Sequence, residues 1–290
     1  MKTQCPHCRM KQDFASEKIG CSVYCKHCRQ PFLVPKNTRK IAKRNTVFII
    51  WGALLAVIIL VMSFCIKQPD KGLDFENELR SGNIGRIALC ISKGSEVNTP
   101  LPEGRFPLHF VIQDNNIANS FAVVQYLVSR GARIDTRNNK GKTSLHLASE
   151  SDRFDIVEYL VSKGAQLNIQ DNQGRTPLHL AAWMSRFHIV KHLVSKGAKI
   201  DIQDHEGKTA LYLAAELNAY DVVEYNGIAI VKYLVSEGAD LNAKNKNGQI
   251  PLYAVAHNGD LELFKFMVSQ GADWKVRDNN GVSVLEYCKK

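Results

Sequence analysis

Hydrophobic and polar positions divide the chain into three stretches with different patterns. Residues 47–66 form one apolar run without a charged side chain. From residue 72 onward, apolar stripes with helical spacing alternate with polar turns, and the alternation returns about every 33 residues. The first 46 residues contain only short apolar segments, which lie around pairs of cysteines. These patterns predict three units of different structure along one chain.

The third stretch is built from units that share two recurring signatures. One is typified by "SKGA" at the end of a unit and the other by "GRTPLH" at its beginning. The glycines of the first signature are Gly94, Gly131, Gly164, Gly197, Gly238 and Gly271. Those of the second are Gly104, Gly141, Gly174, Gly207, Gly248 and Gly281. Units of this size bury their apolar stripes only by stacking on one another, so the sequence predicts an elongated repeat array.

Each unit reads as a turn, a helix, a second turn and a second helix. In the unit that starts at Gly174, Thr176 suits the N-cap of the first helix and Pro177 suits its first position. The second helix carries an apolar stripe through Ile189 and ends before Gly197, which suits the left-handed position that closes a helix.

The segments "GRTPLHLAA" and "VKHLVSKGA" resemble the two helices of ankyrin repeats. The resemblance covers residues 72–290. It implies a mainly α fold, an ankyrin-repeat α-solenoid of about five full repeats with a cap at each end. We assign residues 67–290 to this domain. The motif's histidine and threonine are replaced in two units each, at Tyr212 and Tyr253 and at Phe106 and Ile250.

Ankyrin arrays bind protein partners through a concave face, so the resemblance implies a protein partner. Hairpin tips and exposed positions of the first helices form that face. Carried over position by position, it contains Lys140, Lys142, Glu150, Asn172, Gln173, Arg175, Trp183, Met184, His205, Glu206, Lys208, Glu216, Leu217, Lys246, Asn247, Gln249 and His257. An exposed tryptophan beside a methionine is typical of a binding hot spot. Packing of Trp183 and Met184 against a neighbouring unit is the other interpretation, and both stay open.

Two units carry extra residues between their helices. The first insertion lies in "QDNNIANS" and the second in "ELNAYDVVEYNG", near Tyr220. A surface loop tolerates insertions of this kind, and a protrusion that contacts a partner is the alternative interpretation.

The apolar run predicts a transmembrane helix at residues 47–66. A helix of this length covers about 30 Å, the thickness of the hydrocarbon layer of a bilayer. A cleaved signal peptide fits poorly, because the run begins deep in the chain and no small-x-small cleavage site follows it. A lipoprotein anchor at Cys65 also fits poorly, since Phe64 occupies the place of a small residue.

Basic residues flank the apolar run unevenly. Five lysines and arginines lie between residues 36 and 44, and three follow the run over a similar distance. The positive-inside rule therefore favours a cytoplasmic N-terminus and a repeat array on the other side of the membrane. We expect a single-pass protein of a bacterial inner membrane, in which residues 36–46 form a basic linker beside anionic lipid head groups.

Two C-x2-C pairs at the N-terminus predict a structural zinc site. "CPHC" contains Cys5 and Cys8, and "CKHC" contains Cys25 and Cys28. Zn²⁺ prefers four such ligands in a tetrahedron, and each tight turn supplies two thiolates. A segment this short buries too little core to fold unaided, so the metal contributes its folding energy. Iron suits the same thiolates. Cys21 fits either a small core or an alternative ligand position.

The segment "CKHCRQPFLVP" resembles the short zinc ribbons at the N-termini of many bacterial membrane-anchored proteins. This resemblance implies a small β zinc ribbon in residues 1–35. Residues 1–46 hold 11 basic and two acidic side chains, a net charge of +9, whereas the remaining 244 residues have a net charge of +1. An alternative function follows, in which a membrane-tethered ribbon binds nucleic acid and the repeat array senses a partner.

No catalytic motif accompanies these units. The chain has no G-x-S-x-G, no H-E-x-x-H and no Gly-rich phosphate loop. His109, His146 and His179 recur at the repeat period, which indicates a structural role. We therefore expect a non-enzymatic, membrane-anchored protein–protein interaction scaffold, with the zinc module on the other side of the membrane.

Overall fold

The computed structural model describes short N-terminal strands and most of the repeat array. Its described residues are 2–4, 11–13, 22–24, 31–33, 74–101, 104–217 and 226–287. The chain divides into two compact units, Met1–Lys71 and Gly72–Lys290.

The N-terminal unit contains two antiparallel β-hairpins. The strands are Lys2–Gln4, Lys11–Asp13, Ser22–Tyr24 and Pro31–Leu33. The first pairs with the second and the third with the fourth. Each hairpin joins its strands through a segment that holds one C-x2-C pair, which starts at Cys5 in one and at Cys25 in the other. The predicted zinc ligands themselves lie outside the described residues.

Among the described residues, no helix combines the length and the apolar character needed to cross a membrane. The predicted transmembrane helix at residues 47–66 and the basic linker at residues 36–46 lie outside the described part of the chain.

The second unit is a stack of helix pairs. The first helices of the pairs are Phe75–Ser81, Pro107–Gln113, Ser144–Glu150, Pro177–Trp183, Ala210–Leu217 and Pro251–Asn258. The second helices are Ile84–Ser92, Ser120–Ser129, Phe154–Ser162, Phe187–Ser195, Asn226–Ser236 and Leu261–Ser269. A short helix, Val284–Tyr287, follows the last pair. The prediction of a mainly α repeat array is therefore confirmed.

Local chemistry sets the limits of each helix. In the unit that starts at Gly174, the Thr176 hydroxyl and backbone N–H both contact His179 Nδ1, at 2.8 and 3.1 Å. These contacts cap the start of the first helix. Pro177 occupies the first helical position, where its missing N–H removes no hydrogen bond. Gly197 follows the second helix with φ +91°, as the sequence predicts. Phe106 and Ile250 are the N-cap residues in the units that start at Gly104 and Gly248. No side chain caps the first helix in these two units.

Side chains at the motif's histidine position join neighbouring units. The Nε2 atoms of His146 and His179 lie 3.0 and 3.2 Å from the carbonyl oxygens of Arg175 and Lys208, each in the next unit. Tyr253 replaces the histidine and keeps this link, because its hydroxyl lies 2.7 Å from the carbonyl oxygen of Val282 in the next unit and 2.9 Å from that of Val276. This unit has no side-chain cap, because its N-cap residue is Ile250, but the contact between units is preserved.

One hydrophobic core runs through the whole array. Each second helix buries an aliphatic stripe, such as Ile189, Val190 and Leu193, against its own first helix and the adjacent units. The first insertion joins this core, because Ile117 is 5% exposed. Residues 218–225, which contain most of the second insertion, lie outside the described residues.

Candidate protein-binding groove

Backbone hydrogen bonds join successive hairpin tips along one edge of the array. The N–H of Asn172 donates to the carbonyl oxygen of Lys140 at 3.0 Å, and that of His205 donates to Gln173 at 2.9 Å. The same bond recurs in the following tips, from Lys246 to Glu206 and from Asn279 to Asn247. This ladder holds the predicted residues of the tips in a fixed row.

Three pockets follow this row and share lining residues. The first, of about 380 Å³, and the second, of about 420 Å³, share Asn172, Gln173 and Arg175. The second and the third, also of about 420 Å³, share Trp183. The pockets therefore adjoin one another along the row, and we call the three together the partner groove.

Most of the predicted face residues line the partner groove. They are Lys140, Lys142, Asn172, Gln173, Arg175, Trp183, His205, Glu206, Lys208, Glu216, Gln249 and His257. The predicted residues Glu150, Met184, Lys246 and Asn247 do not line the three pockets. Leu217 ends its helix, and its side chain lies outside what the structure describes.

Ion pairs fix two lysines of the partner groove. Lys142 Nζ lies 2.7 Å from a carboxylate oxygen of Glu150. Lys208 Nζ lies 2.9 and 2.8 Å from the two carboxylate oxygens of Glu216. The two pairs occupy equivalent positions, two units apart. Because both lysines are held by their own carboxylates, the groove presents an ordered pattern of charge.

Trp183 interrupts the series of lysine–glutamate pairs. It occupies the position that Glu150 and Glu216 occupy in the flanking units, and it is half-buried. Its indole lines both the second and the third pocket. Met184 is the C-cap residue of the same helix and lines neither of them. The structure therefore separates two residues that the sequence treats as one candidate hot spot.

Arg175 pairs differently from the lysines at the equivalent positions, because Trp183 stands in place of a glutamate. Its guanidinium lies 3.0 Å from the carboxylate of Asp171. Asp171 also accepts the backbone N–H groups of Gln173 and Arg175, at 2.8 and 3.0 Å. Burial opposes ionisation of Asp171, but these hydrogen bonds and the guanidinium hold the pKa of its carboxyl below the ordinary value.

Three tyrosines that the sequence does not assign to the face line the third pocket. Tyr212 and Tyr253 are 5% and 1% exposed, and Tyr287 is half-buried. Gln249 connects two of them: it accepts from the Tyr212 hydroxyl at 3.4 Å and donates to the Tyr287 oxygen at 2.8 Å. The available signal was tyrosine at the histidine position in two successive units that follow Trp183.

Within the ranges that the structure describes, no group of three histidine, cysteine or acidic side chains is placed to hold a metal ion. The predicted zinc ligands Cys5, Cys8, Cys25 and Cys28 are not among these residues. The partner groove therefore offers hydrogen bonds, ordered charge and aromatic surface as its means of recognition.

Comparison with known proteins agrees with this architecture. A family model described as ankyrin repeats (3 copies) matches residues 79–171, 164–225 and 224–290. The mouse protein "Ankyrin repeat domain-containing protein 53" is 42% identical over 53 residues, which are 18% of this chain and 11% of that protein. A probable serine/threonine-protein kinase of Dictyostelium discoideum is 36% identical over 70 residues, which are 23% of this chain and 7% of that protein. The matched segments thus cover only a small part of either relative.

The family model covers most of the chain, and the helix pairs and hairpin tips have the arrangement that its repeats require. Ankyrin repeats serve as scaffolds for protein–protein interaction, and the partner groove lies along the hairpin tips and first helices. The chain belongs to the ankyrin-repeat family.

Proposed function

We propose that this chain is a membrane-anchored, non-enzymatic scaffold that presents the partner groove to a protein. The succession of adjoining pockets carries the proposal, because three pockets that share lining residues offer a binding surface across several units. Hydrogen bonds between the tips order this surface before binding. A preordered surface loses less conformational entropy when a partner binds.

Site-specific photo-crosslinking tests the position of the partner. Gln173 and Gln166 are both exposed and belong to the same unit, but Gln173 lines the partner groove, whereas Gln166 lies in the turn after a second helix. With a photoreactive residue at either site of the full chain in its own membrane, we expect a protein adduct at Gln173 and none at Gln166. A partner that crosslinks equally at both sites would contradict the proposal.

Trp183→Ala supplies the energetic test of the same surface. Truncation of a half-buried aromatic anchor should cost about 2 kcal/mol of binding free energy, a loss of affinity of about 30-fold. We therefore expect the adduct at Gln173 to disappear at low expression. Met184→Ala is the matched control, because the neighbouring side chain lines none of the pockets, and it should leave the adduct intact. An adduct that survives Trp183→Ala would exclude the tryptophan as an anchor.

The anchoring part of the proposal rests on residues 47–66, which are uncharged and long enough to span the hydrocarbon layer. The excess of lysine and arginine on their N-terminal side favours a cytoplasmic N-terminus. Protease treatment of sealed, inside-out inner-membrane vesicles tests this orientation. We expect the protease to remove the first 46 residues and to spare the repeat array. Degradation of the array in these vesicles would reverse the proposed orientation.

The zinc part of the proposal rests on the two β-hairpins. Each hairpin joins its strands through one C-x2-C segment, which suits a site that takes two thiolates from each of two turns. Cys5, Cys8, Cys25 and Cys28 would hold the ion, whose contribution is to tie the two hairpins together.

Metal analysis of the purified full chain tests this site. We expect about one Zn²⁺ per chain and its loss in Cys8→Ser, because three thiolates hold a structural zinc much more weakly than four. Cys21→Ser is the matched control and should retain the metal. Stoichiometric iron would replace zinc in the proposal, and loss of metal in Cys21→Ser would make Cys21 a ligand.

A further inference from the structure

The third pocket of the partner groove differs from the other two in its aromatic walls. We call it the tyrosine pocket; it has a volume of about 420 Å³ and is lined by Trp183, Tyr212, Tyr253, Tyr287 and Glu216, among others. Tyr212 and Tyr253 are nearly fully buried, whereas Trp183 and Tyr287 are half-buried. Four aromatic side chains therefore surround one open space.

Contacts within the protein engage the tyrosine hydroxyls. That of Tyr253 donates to backbone carbonyl oxygens, with the shortest contact at 2.7 Å. Those of Tyr212 and Tyr287 both contact the side-chain amide of Gln249. Tyr253 and Tyr287 also pack edge to face, with ring centroids 5.2 Å apart. These contacts fix the rings in place, and the pocket consequently presents ring surface more than hydroxyl groups.

Among the described residues, one acidic side chain lines the tyrosine pocket, and it is paired with Lys208, which lines the second pocket. Glu216 contributes its carboxylate, and no lysine or arginine among the described residues lines the pocket. The faces of aromatic rings carry partial negative charge, with tryptophan the strongest. The combination of aromatic faces and a carboxylate attracts a cation.

Lys208 shows that these groups accept a cation within the protein itself. This lysine lines the second pocket, on the other side of Trp183. Its ammonium donates to Glu216 and lies 5.3 Å from the centroid of the Tyr212 ring. A carboxylate accepts more than two hydrogen bonds, so Glu216 keeps acceptor capacity for a second donor.

We infer that the tyrosine pocket binds a cationic side chain of the protein partner, arginine in preference to lysine. A guanidinium is planar, so it can stack on the half-buried rings of Trp183 or Tyr287 while its edge donates to Glu216. The inference rests on the proposed function of the groove and specifies the chemistry of the partner. The matching segment of the partner therefore carries an exposed arginine.

A pair of ligands of similar shape but different charge tests the inference. The probes are N-acetyl-arginine methylamide and N-acetyl-citrulline methylamide, since citrulline has the shape of arginine without its charge. The full chain in detergent micelles is labelled with 5-fluorotryptophan, which gives signals from Trp51, Trp183 and Trp274. We expect the arginine amide to shift the Trp183 signal with about tenfold higher affinity than the citrulline amide. Equal affinity for the two amides would overturn the inference.

Two glutamates at equivalent positions provide matched variants. Glu216→Gln removes the carboxylate from the tyrosine pocket, and we expect the preference for arginine over citrulline to fall about fivefold or more. Glu150→Gln removes the equivalent carboxylate, which pairs with Lys142 and does not line the tyrosine pocket, and should leave the preference unchanged. An unchanged Trp274 signal shows that each variant is folded. A preference that survives Glu216→Gln would overturn the assigned role of the carboxylate.

The outcome is separable from the test of the groove itself. If crosslinking at Gln173 depends on Trp183 but the two amides bind equally, the tyrosine pocket does not select a cation and the groove proposal stands. If the arginine amide is preferred but no protein crosslinks at Gln173, the pocket is supported and the groove proposal fails.

Discussion

Gly174→Ala should destabilise the repeat array by about 3 kcal/mol, because two independent costs add at this position. Gly174 has φ +77°, a conformation that costs an alanine about 1 kcal/mol or more. A Cβ atom there would also lie 2.6 Å from the backbone nitrogen of His205 in the next hairpin tip. The two tips would have to separate, which breaks the bond from His205 to Gln173. Urea unfolding followed by circular dichroism measures the change.

Gly197→Ala provides the control within the same unit. Gly197 also has a positive φ, of 91°, but a Cβ atom there would have nothing within 4 Å. Only the conformational cost remains, so we expect a loss of about 1 kcal/mol. Equal losses for the two variants would show that the tips yield to the extra atom without cost. The close approach of Gly174 to the His205 backbone would then contribute nothing measurable to the stability of the array.

Features that depend on neighbouring residues in the sequence could be predicted. Thr176, Pro177 and Gly197 meet the local requirements of a cap, a first helical position and a helix end, and the structure places each of them so. The repeat period then fixes which units adjoin, so the row of hairpin tips followed from the same pattern. Most of the predicted face residues accordingly line the partner groove.

Features that depend on side-chain reach between units could not be predicted. Tyr253 reads as the loss of a cap, but its longer side chain reaches the carbonyl oxygen of Val282 in the next unit, and it lines the third pocket. Trp183 and Met184 are adjacent at the end of one helix, but only Trp183 lines the pockets. Only the packing of residues from several units distinguishes them.

The two hairpins of the N-terminal unit illustrate the same limit. The spacing of Cys5, Cys8, Cys25 and Cys28 predicts turns that close strands, and paired strands flank both segments. Ligand identity depends on the positions of the sulfur atoms, which spacing alone does not give. Zinc binding and the choice among five thiols therefore remain predictions for the metal analysis.

Acidification from pH 6.5 to 4 should unfold the repeat array, because buried histidines resist protonation. Burial lowers the pKa of His109 and of His146 from 6.5 to about 4. Between pH 6.5 and 4 the unfolded chain binds protons that the folded chain does not, so the free energy of unfolding falls as the pH falls. Above pH 6.5 these histidines are neutral in both states, and their contribution no longer changes. Each histidine contributes up to ~1.4 kcal/mol per pH unit, or about 3 kcal/mol over the interval. Together they approach the total stability of a typical domain.

His146→Gln isolates one of these contributions. Glutamine can accept the N–H of Thr143, as in a capping box, but it does not titrate. We expect the unfolding free energy to be lower at pH 7, through loss of the bond to the Arg175 carbonyl, and its dependence on pH to be shallower by up to ~1.4 kcal/mol per unit. Thr143→Val also weakens the cap but keeps the histidine, so the slope should persist. If the slope is the same in His146→Gln as in the original protein, the acid sensitivity does not arise from His146.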